Sequence, residues 1–199
     1  MALTAQPVTL QCRQTEYDIK DLQMIDTAYG FAVGEVHWDR DVKVYTSTIL
    51  RTTDGGYTWF PQQTPAKEDL WAVHFINPDH GWVCGKNGLM LYTGDGGTSW
   101  ARLDVGTNLD LKSVFFTDAS TGWVAGNEVI HELFDEPDAW RGSVWKTTNG
   151  GASWTQQNLP ADAGLTQRLY FRNSMEGWAM GVKNKQVEPS VETRCAAYY

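Results

Sequence analysis

The sequence predicts an all-β protein, a β-propeller of four-stranded antiparallel blades, with about four blades' worth of sequence in its 199 residues. Two motifs support this prediction. A turn motif, Thr-x-Asp/Asn-x-Gly-x-Ser/Thr-Trp, occurs three times, and a Gly-aromatic-x-x-Gly motif, or Gly-Phe/Trp-x-x-Gly, occurs four times. Repeats of about 40 to 50 residues are typical of propeller blades. Here the tryptophans of the turn motif lie 41 and 54 residues apart, so the longer repeat contains an insertion.

One repeat shows how the residue types predict four strands. In residues 70–110 the apolar segment 70–76 predicts the innermost strand a, and Gly81–Gly85 predicts strand b. The Asn-Gly pair in Lys86–Gly88 predicts a tight hairpin turn. Residues 89–93 and 99–103 then predict strands c and d, on either side of the turn motif.

The motif spacing divides the chain into blades. We expect blade one at 22–69, blade two at 70–110, blade three at 111–164 and an incomplete blade four at 165–199. Residues 1–21 are expected to supply a strand that completes another blade, with strand d at 4–10. Since open blade edges promote association, we expect a closed ring, formed either by one chain or by a homodimer that completes the propeller.

Composition limits the partners. A net charge of −8 and a pI near 4.9 argue against a nucleic-acid or anionic-membrane surface. No motif indicates a cofactor or a metal site, and no apolar run approaches the roughly 20 residues of a membrane span. Cys12, Cys84 and Cys195 lack metal-site spacing, and we interpret them as buried apolar residues. The location of the protein in the cell stays open.

Turn chemistry explains the turn motif. An Asp or Asn side chain can accept hydrogen bonds from backbone N–H groups two or three residues further on, and Gly adopts positive φ without penalty. The closing Trp can cover the turn with a large apolar face. We therefore assign a structural role to the motif residues Thr52, Asp54, Gly56, Trp59, Thr93, Asp95, Gly97, Trp100, Thr147, Asn149, Gly151 and Trp154.

The turn motif is the Asp box, or bacterial neuraminidase repeat. Its coupling to a preceding Gly-Trp-x-x-Gly strand resembles the photosystem II stability and assembly factor family, over about residues 22–181. The resemblance implies a noncatalytic assembly scaffold that docks a protein or peptide partner. Because sialidases and xyloglucanases also use Asp boxes, a carbohydrate-active enzyme stays the alternative. In related propellers the boxes lie opposite the binding face, which places the b-to-c connections on that face.

Two b-to-c connections are unusually long. Blade two needs only Lys86–Gly88, whereas blades one and three use residues 35–47 and 127–142, which we predict to be loops. Loops on a rigid scaffold commonly mediate recognition. Three interpretations stay open: solvated acidic loops, a docking surface anchored by tryptophans, and a metal or carboxylate-pair site. The sequence nominates no catalytic residue. The candidate binding residues are Glu35, His37, Trp38, Asp39, His131, Glu132, Asp135 and Trp140.

Overall fold

The computed structural model describes residues 17–39, 43–130, 139–159, 164–182 and 196–198. Within these ranges the regular structure consists of antiparallel strands and one 3-10 turn. The strands form three four-stranded sheets and one three-stranded sheet, and the strands of each sheet follow one another in chain order. The predicted all-β propeller of four-stranded blades is confirmed.

Each sheet is one blade, and its first strand is the inner strand a. Blade one contains β1 (Ile19–Met24), β2 (Gly30–Asp39), β3 (Val44–Thr52) and β4 (Phe60–Pro61). Blade two contains β5 (Leu70–Phe75), β6 (Gly81–Gly85), β7 (Met90–Thr93) and β8 (Ala101–Leu103). Blade three contains β9 (Asp110–Phe116), β10 (Gly122–Ile130), β11 (Ala139–Thr147) and β12 (Thr155–Gln157). Blade four contains β13 (Leu165–Phe171), β14 (Gly177–Val182) and β15 (Ala196–Tyr198).

Strand ends differ from the prediction by a few residues. The first inner strand begins at Ile19 rather than 22, because Ile19 still pairs with Gly34 across a β-bulge. The inner strand of blade four begins at Leu165, where the predicted blade begins, and Leu165 pairs with Val182 across a similar irregularity. The strand predicted at 4–10 lies outside the described residues.

The Gly-aromatic-x-x-Gly motif reflects close approach between strands a and b. A Cβ on Gly81 would overlap the Phe75 ring, and a Cβ on Gly85 would overlap the backbone carbonyl of Asp69. The first glycine therefore makes room for an inner-strand ring, and the second makes room for the bulged backbone of the inner strand.

Aromatic stacking joins consecutive blades. The aromatic residue of each of the first three motifs packs on the last ring of the next inner strand, with nearly parallel planes. The stacked pairs are Phe31–Phe75 at 4.0 Å, Trp82–Phe116 at 3.6 Å and Trp123–Phe171 at 3.7 Å between ring centroids. Cys84 is fully buried in the core between blades two and three, as expected. Cys12 and Cys195 lie outside the described residues.

The prediction of long b-to-c loops was wrong. In blade one, β2 and β3 continue pairing to Asp39 and Val44, and in blade three β10 and β11 continue to Ile130 and Ala139. These segments are β-hairpins that extend past the blade, because their backbone groups keep pairing across the two strands. Blade two instead turns at once through Asn87 and Gly88, whose φ angles are 56° and 72°.

Candidate functional site

The three boxes share one hydrogen-bond pattern. In the second box, Thr93 Oγ1 donates to Asp95 Oδ1 at 2.8 Å and accepts from the Gly97 N–H at 2.8 Å. Asp95 Oδ1 also accepts from the Ser99 N–H at 2.9 Å. The carboxylate thus bonds to the amide four residues further on and also interacts with the expected Thr98 amide three residues on, whereas the threonine hydroxyl satisfies the glycine amide two residues on.

The Asp and Asn side chains of the boxes accept hydrogen bonds from donors of the chain itself. Hydrogen bonds led by those from the Thr58 and Ser99 hydroxyls lower the pKa of Asp54 and Asp95 to about 2. In the third box, Asn149 accepts from the Ser153 N–H at 2.9 Å and donates to its hydroxyl at 2.9 Å. The same geometry therefore forms with a carboxylate or an amide, which argues for a structural role.

A second repeated turn escaped the sequence analysis. An Asp or Asn four residues before each Gly-aromatic motif accepts two backbone N–H bonds through Oδ1. These residues are Asp26, Asn77, Asp118 and Asn173. A box glycine then bonds this turn, as in Gly96 N–H to Asp79 O at 2.9 Å. The spacing to the motif was the signal that could have revealed it.

The long hairpins point away from the boxes. Gly30 pairs with Thr52 at the box end of blade one, whereas Asp39 pairs with Val44 at the far end of the same two strands. A strand rises about 3.3 Å per residue, so the hairpin tip lies roughly 30 Å from the box. The box end of the blade, where side chains bond to the chain's own backbone, is thus separate from the hairpin end, which carries the candidate binding residues.

An exposed aromatic pair lies near the tip of the blade-one hairpin. Trp38 is 50% exposed and Tyr45 is 60% exposed, and their ring centroids lie 5.1 Å apart with planes at 67°. The two residues are cross-strand partners. Cross-strand contact between large rings holds both in place while leaving much of their apolar surface in water.

The other predicted residues of this hairpin are engaged near its base. His37 Nδ1 lies 2.9 Å from Thr48 Oγ1. The Thr48 hydroxyl donates to Glu35 O at 2.5 Å, so it accepts from an Nδ1–H of His37. The Glu35 carboxylate forms an ion pair with Lys20 at 2.7 Å. His37 and Glu35 therefore support the hairpin, whereas Trp38 faces solvent.

The candidate binding residues of blade three are described only in part. The backbone of Trp140 pairs with Val129 in the blade-three hairpin. His131, Glu132 and Asp135 lie outside the described residues. The structure therefore brings Trp38, His37 and Glu35 together on one hairpin and adds Tyr45, which the sequence analysis missed. The signal in the sequence that could have identified Tyr45 was the presence of aromatic residues on both sides of a short turn, Trp38 before it and Tyr45 after it.

Charged residues gather around the propeller axis, another feature that the sequence analysis missed. Trp71 lies between two ammonium groups, 3.9 Å from Lys112 Nζ and 5.8 Å from Lys20 Nζ to the ring centroid. Asp21 accepts from the Val73 N–H at 3.1 Å and lies 3.4 Å from Arg168 Nη1. Because each cation lies near a carboxylate, this cluster is internally compensated.

Two further features bear on the site. In the part of the chain that the structure describes, no group of three or more His, Cys, Asp or Glu residues is arranged to hold a metal ion. None of the helical structure in these same ranges has the length and hydropathy to cross a bilayer.

Boxes at one end of three blades, with extended hairpins at the other end of two of them, define an Asp-box β-propeller. The family model described as photosynthesis system II assembly factor YCF48 matches residues 3–112, which is more than half of the chain. The chain belongs to this family.

The relatives cover different shares of the chain. The chloroplastic photosystem II stability/assembly factor HCF136 of Oryza sativa subsp. japonica is 33% identical over 73 residues, 34% of this chain and 15% of that protein. A structure of YCF48 bound to a D1 peptide has a TM-score of 0.61 and 23% identity, over 83% of this chain and 47% of that one. The chain thus spans about half of that YCF48 chain.

An ancestral GH74 enzyme has a similar TM-score of 0.60, at 16% identity, over 82% of this chain and 22% of the enzyme. At these identities the likeness to both solved structures shows the fold alone. The fold therefore does not separate a docking propeller from an enzyme, and only the residues of the site can distinguish the two.

Proposed function

We propose that this chain is a noncatalytic docking propeller that binds a peptide segment of a protein partner on the blade-one hairpin. The observation that carries the proposal is the exposed Trp38–Tyr45 pair. Aromatic anchors dominate the binding energy of many protein interfaces. The D1 peptide bound by the structurally similar YCF48 makes that peptide the first candidate partner.

The state of the acidic residues supports a noncatalytic role. Glycoside hydrolysis needs two carboxyl groups across a cleft, one of them poised to donate a proton. Glu35 is paired with Lys20, and Asp54 and Asp95 have lowered pKa values and are held by box hydrogen bonds. Turnover of aryl glycosides or sialosides by this chain, lost in Asp39→Asn with the fold intact, would overturn this part of the proposal.

Replacement of Trp38 by alanine is expected to weaken binding of a D1 peptide at least about tenfold, since anchoring tryptophans at interfaces commonly contribute about 2 kcal/mol or more. Fluorescence polarisation of a labelled peptide measures this change. Tyr57→Ala is the matched control, because Tyr57 is 56% exposed but belongs to the box end of the same blade. Equal losses in the two variants would contradict a site on the hairpin.

We also propose that two copies of the chain can pair to complete a ring. Leu22 and Met24 of blade one are exposed, whereas Val73 and Phe75 at the same positions of blade two are buried against blade one. Light scattering is then expected to give twice the chain mass of 22.3 kDa, falling to one chain mass in Met24→Glu. A single-chain mass for the unaltered protein at every concentration would refute the pairing.

A further inference from the structure

The outer edge of β3 is covered over only part of its length. The short strand β4 pairs with Leu50 and Arg51. Beyond it, the chain that follows continues along the same edge, with Gln62 N–H donating to Ile49 O and Ser47 N–H donating to Ala66 O. Among the described residues this cover ends at Ser47, before the hairpin tip.

The direction of the Tyr45 backbone follows from alternation along β3. Backbone groups in a strand point alternately to its two edges. Ser47 points outward, because it bonds to Ala66. Tyr45, two residues away, therefore points its N–H and C=O to the same outer edge. Neither group bonds to the 60–66 segment that covers this edge further along β3, so among the described residues no strand covers the edge at this exposed residue.

The opposite edge of the hairpin is also covered near its base. Along β2, Glu35 N–H bonds to Asp18 O at 3.0 Å, and Val36 N–H bonds to Asp69 Oδ1 at 3.0 Å. The Asp69 side chain thus lies along the β2 edge where it leaves the blade. Among the described residues, no segment pairs with the β3 edge beyond Ser47.

We infer that the partner is an extended peptide that adds to the outer edge of β3 as a further strand, bonding the backbone of Tyr45; the inference rests on the proposed function. Strand addition to an open edge is a common mode of peptide recognition, in which backbone bonds give affinity and alternate side chains give specificity. Trp38 and Tyr45 contact each other on one face of the hairpin, so alternate side chains of the added strand would pack against them.

A pair of variants isolates the backbone contribution. Tyr45→Ala and Tyr45→Pro both remove the ring, but only proline removes the N–H. Since no described strand covers the edge at that N–H, proline is tolerated at such an edge position, and circular dichroism is expected to show the same fold for both variants. Binding of a D1 peptide is expected to be about tenfold weaker in Tyr45→Pro than in Tyr45→Ala, because proline removes a hydrogen bond and obstructs the incoming strand.

N-methylation of single residues along the same peptide gives an independent readout that does not depend on the folding of a variant. Strand addition predicts that affinity falls at alternate residues only. If the unaltered chain binds the peptide but neither the proline effect nor the alternation is found, docking stands and strand addition is wrong. If the unaltered chain does not bind the peptide, the proposed function and this inference both fail.

Discussion

Replacement of Trp82 by alanine is expected to lower the free energy of unfolding by about 3 to 5 kcal/mol, the usual cost of removing a large aromatic side chain from a core. Trp82 is fully buried and stacks on Phe116 at 3.6 Å with planes 6° apart. Its Nε1 has no hydrogen-bond partner in the described structure, so the cost comes from lost packing. Denaturant-induced unfolding measures the change.

Two control variants sharpen this prediction. Trp82→Phe retains a ring that can stack on Phe116, and we expect it to cost much less than alanine. Trp38→Ala removes the same side chain from a half-exposed position and is expected to change stability little. A loss below about 1 kcal/mol in Trp82→Ala would show that interblade stacking does not stabilise the propeller as the geometry indicates.

Replacement of Thr93 by valine is expected to lower the free energy of unfolding by about 2 to 3 kcal/mol, because it leaves a buried N–H without a partner. Thr93 is 1% exposed, and its hydroxyl both accepts from the Gly97 N–H and donates to Asp95. Valine has nearly the same shape as threonine, so no cavity forms. Thermal and denaturant unfolding together measure the loss.

Thr93→Ser is the matched variant, since it keeps the hydroxyl and removes only a methyl group. We expect serine to retain most of the stability that valine loses. A loss in Thr93→Val no larger than the loss in Thr93→Ser would contradict the hydrogen-bond role of the box threonine.

Local chemistry explains why the blades could be predicted from the sequence. The Asn-Gly pair at Asn87 and Gly88 predicts a tight turn because both residues adopt positive φ there. The two glycines of each Gly-aromatic motif identify strand b, because there is little room for a side chain where the inner strand approaches strand b. Such constraints act between neighbouring residues, so they are visible in the order of residue types.

The candidate site depends on pairing that the residue types left ambiguous. Residues 35–39 and 44–47 mix charged, polar and aromatic side chains, which is typical of loops, yet their backbones pair in a regular hairpin. The contact between Trp38 and Tyr45 needs the register of that hairpin, and the sequence analysis named only the tryptophan. A one-residue shift in register would place the two rings on opposite faces.

By itself, the sequence determined the fold class, the three box turns and the family, because each depends on motifs in which every residue satisfies a nearby backbone or steric requirement. Only the tertiary structure decided which edges and faces stay open. Among the described residues, the uncovered edge at Tyr45 and the exposed Met24 follow from where the neighbouring segments end. Residues distant in sequence determine whether these positions are covered, and the spacing of the repeats does not reveal such contacts.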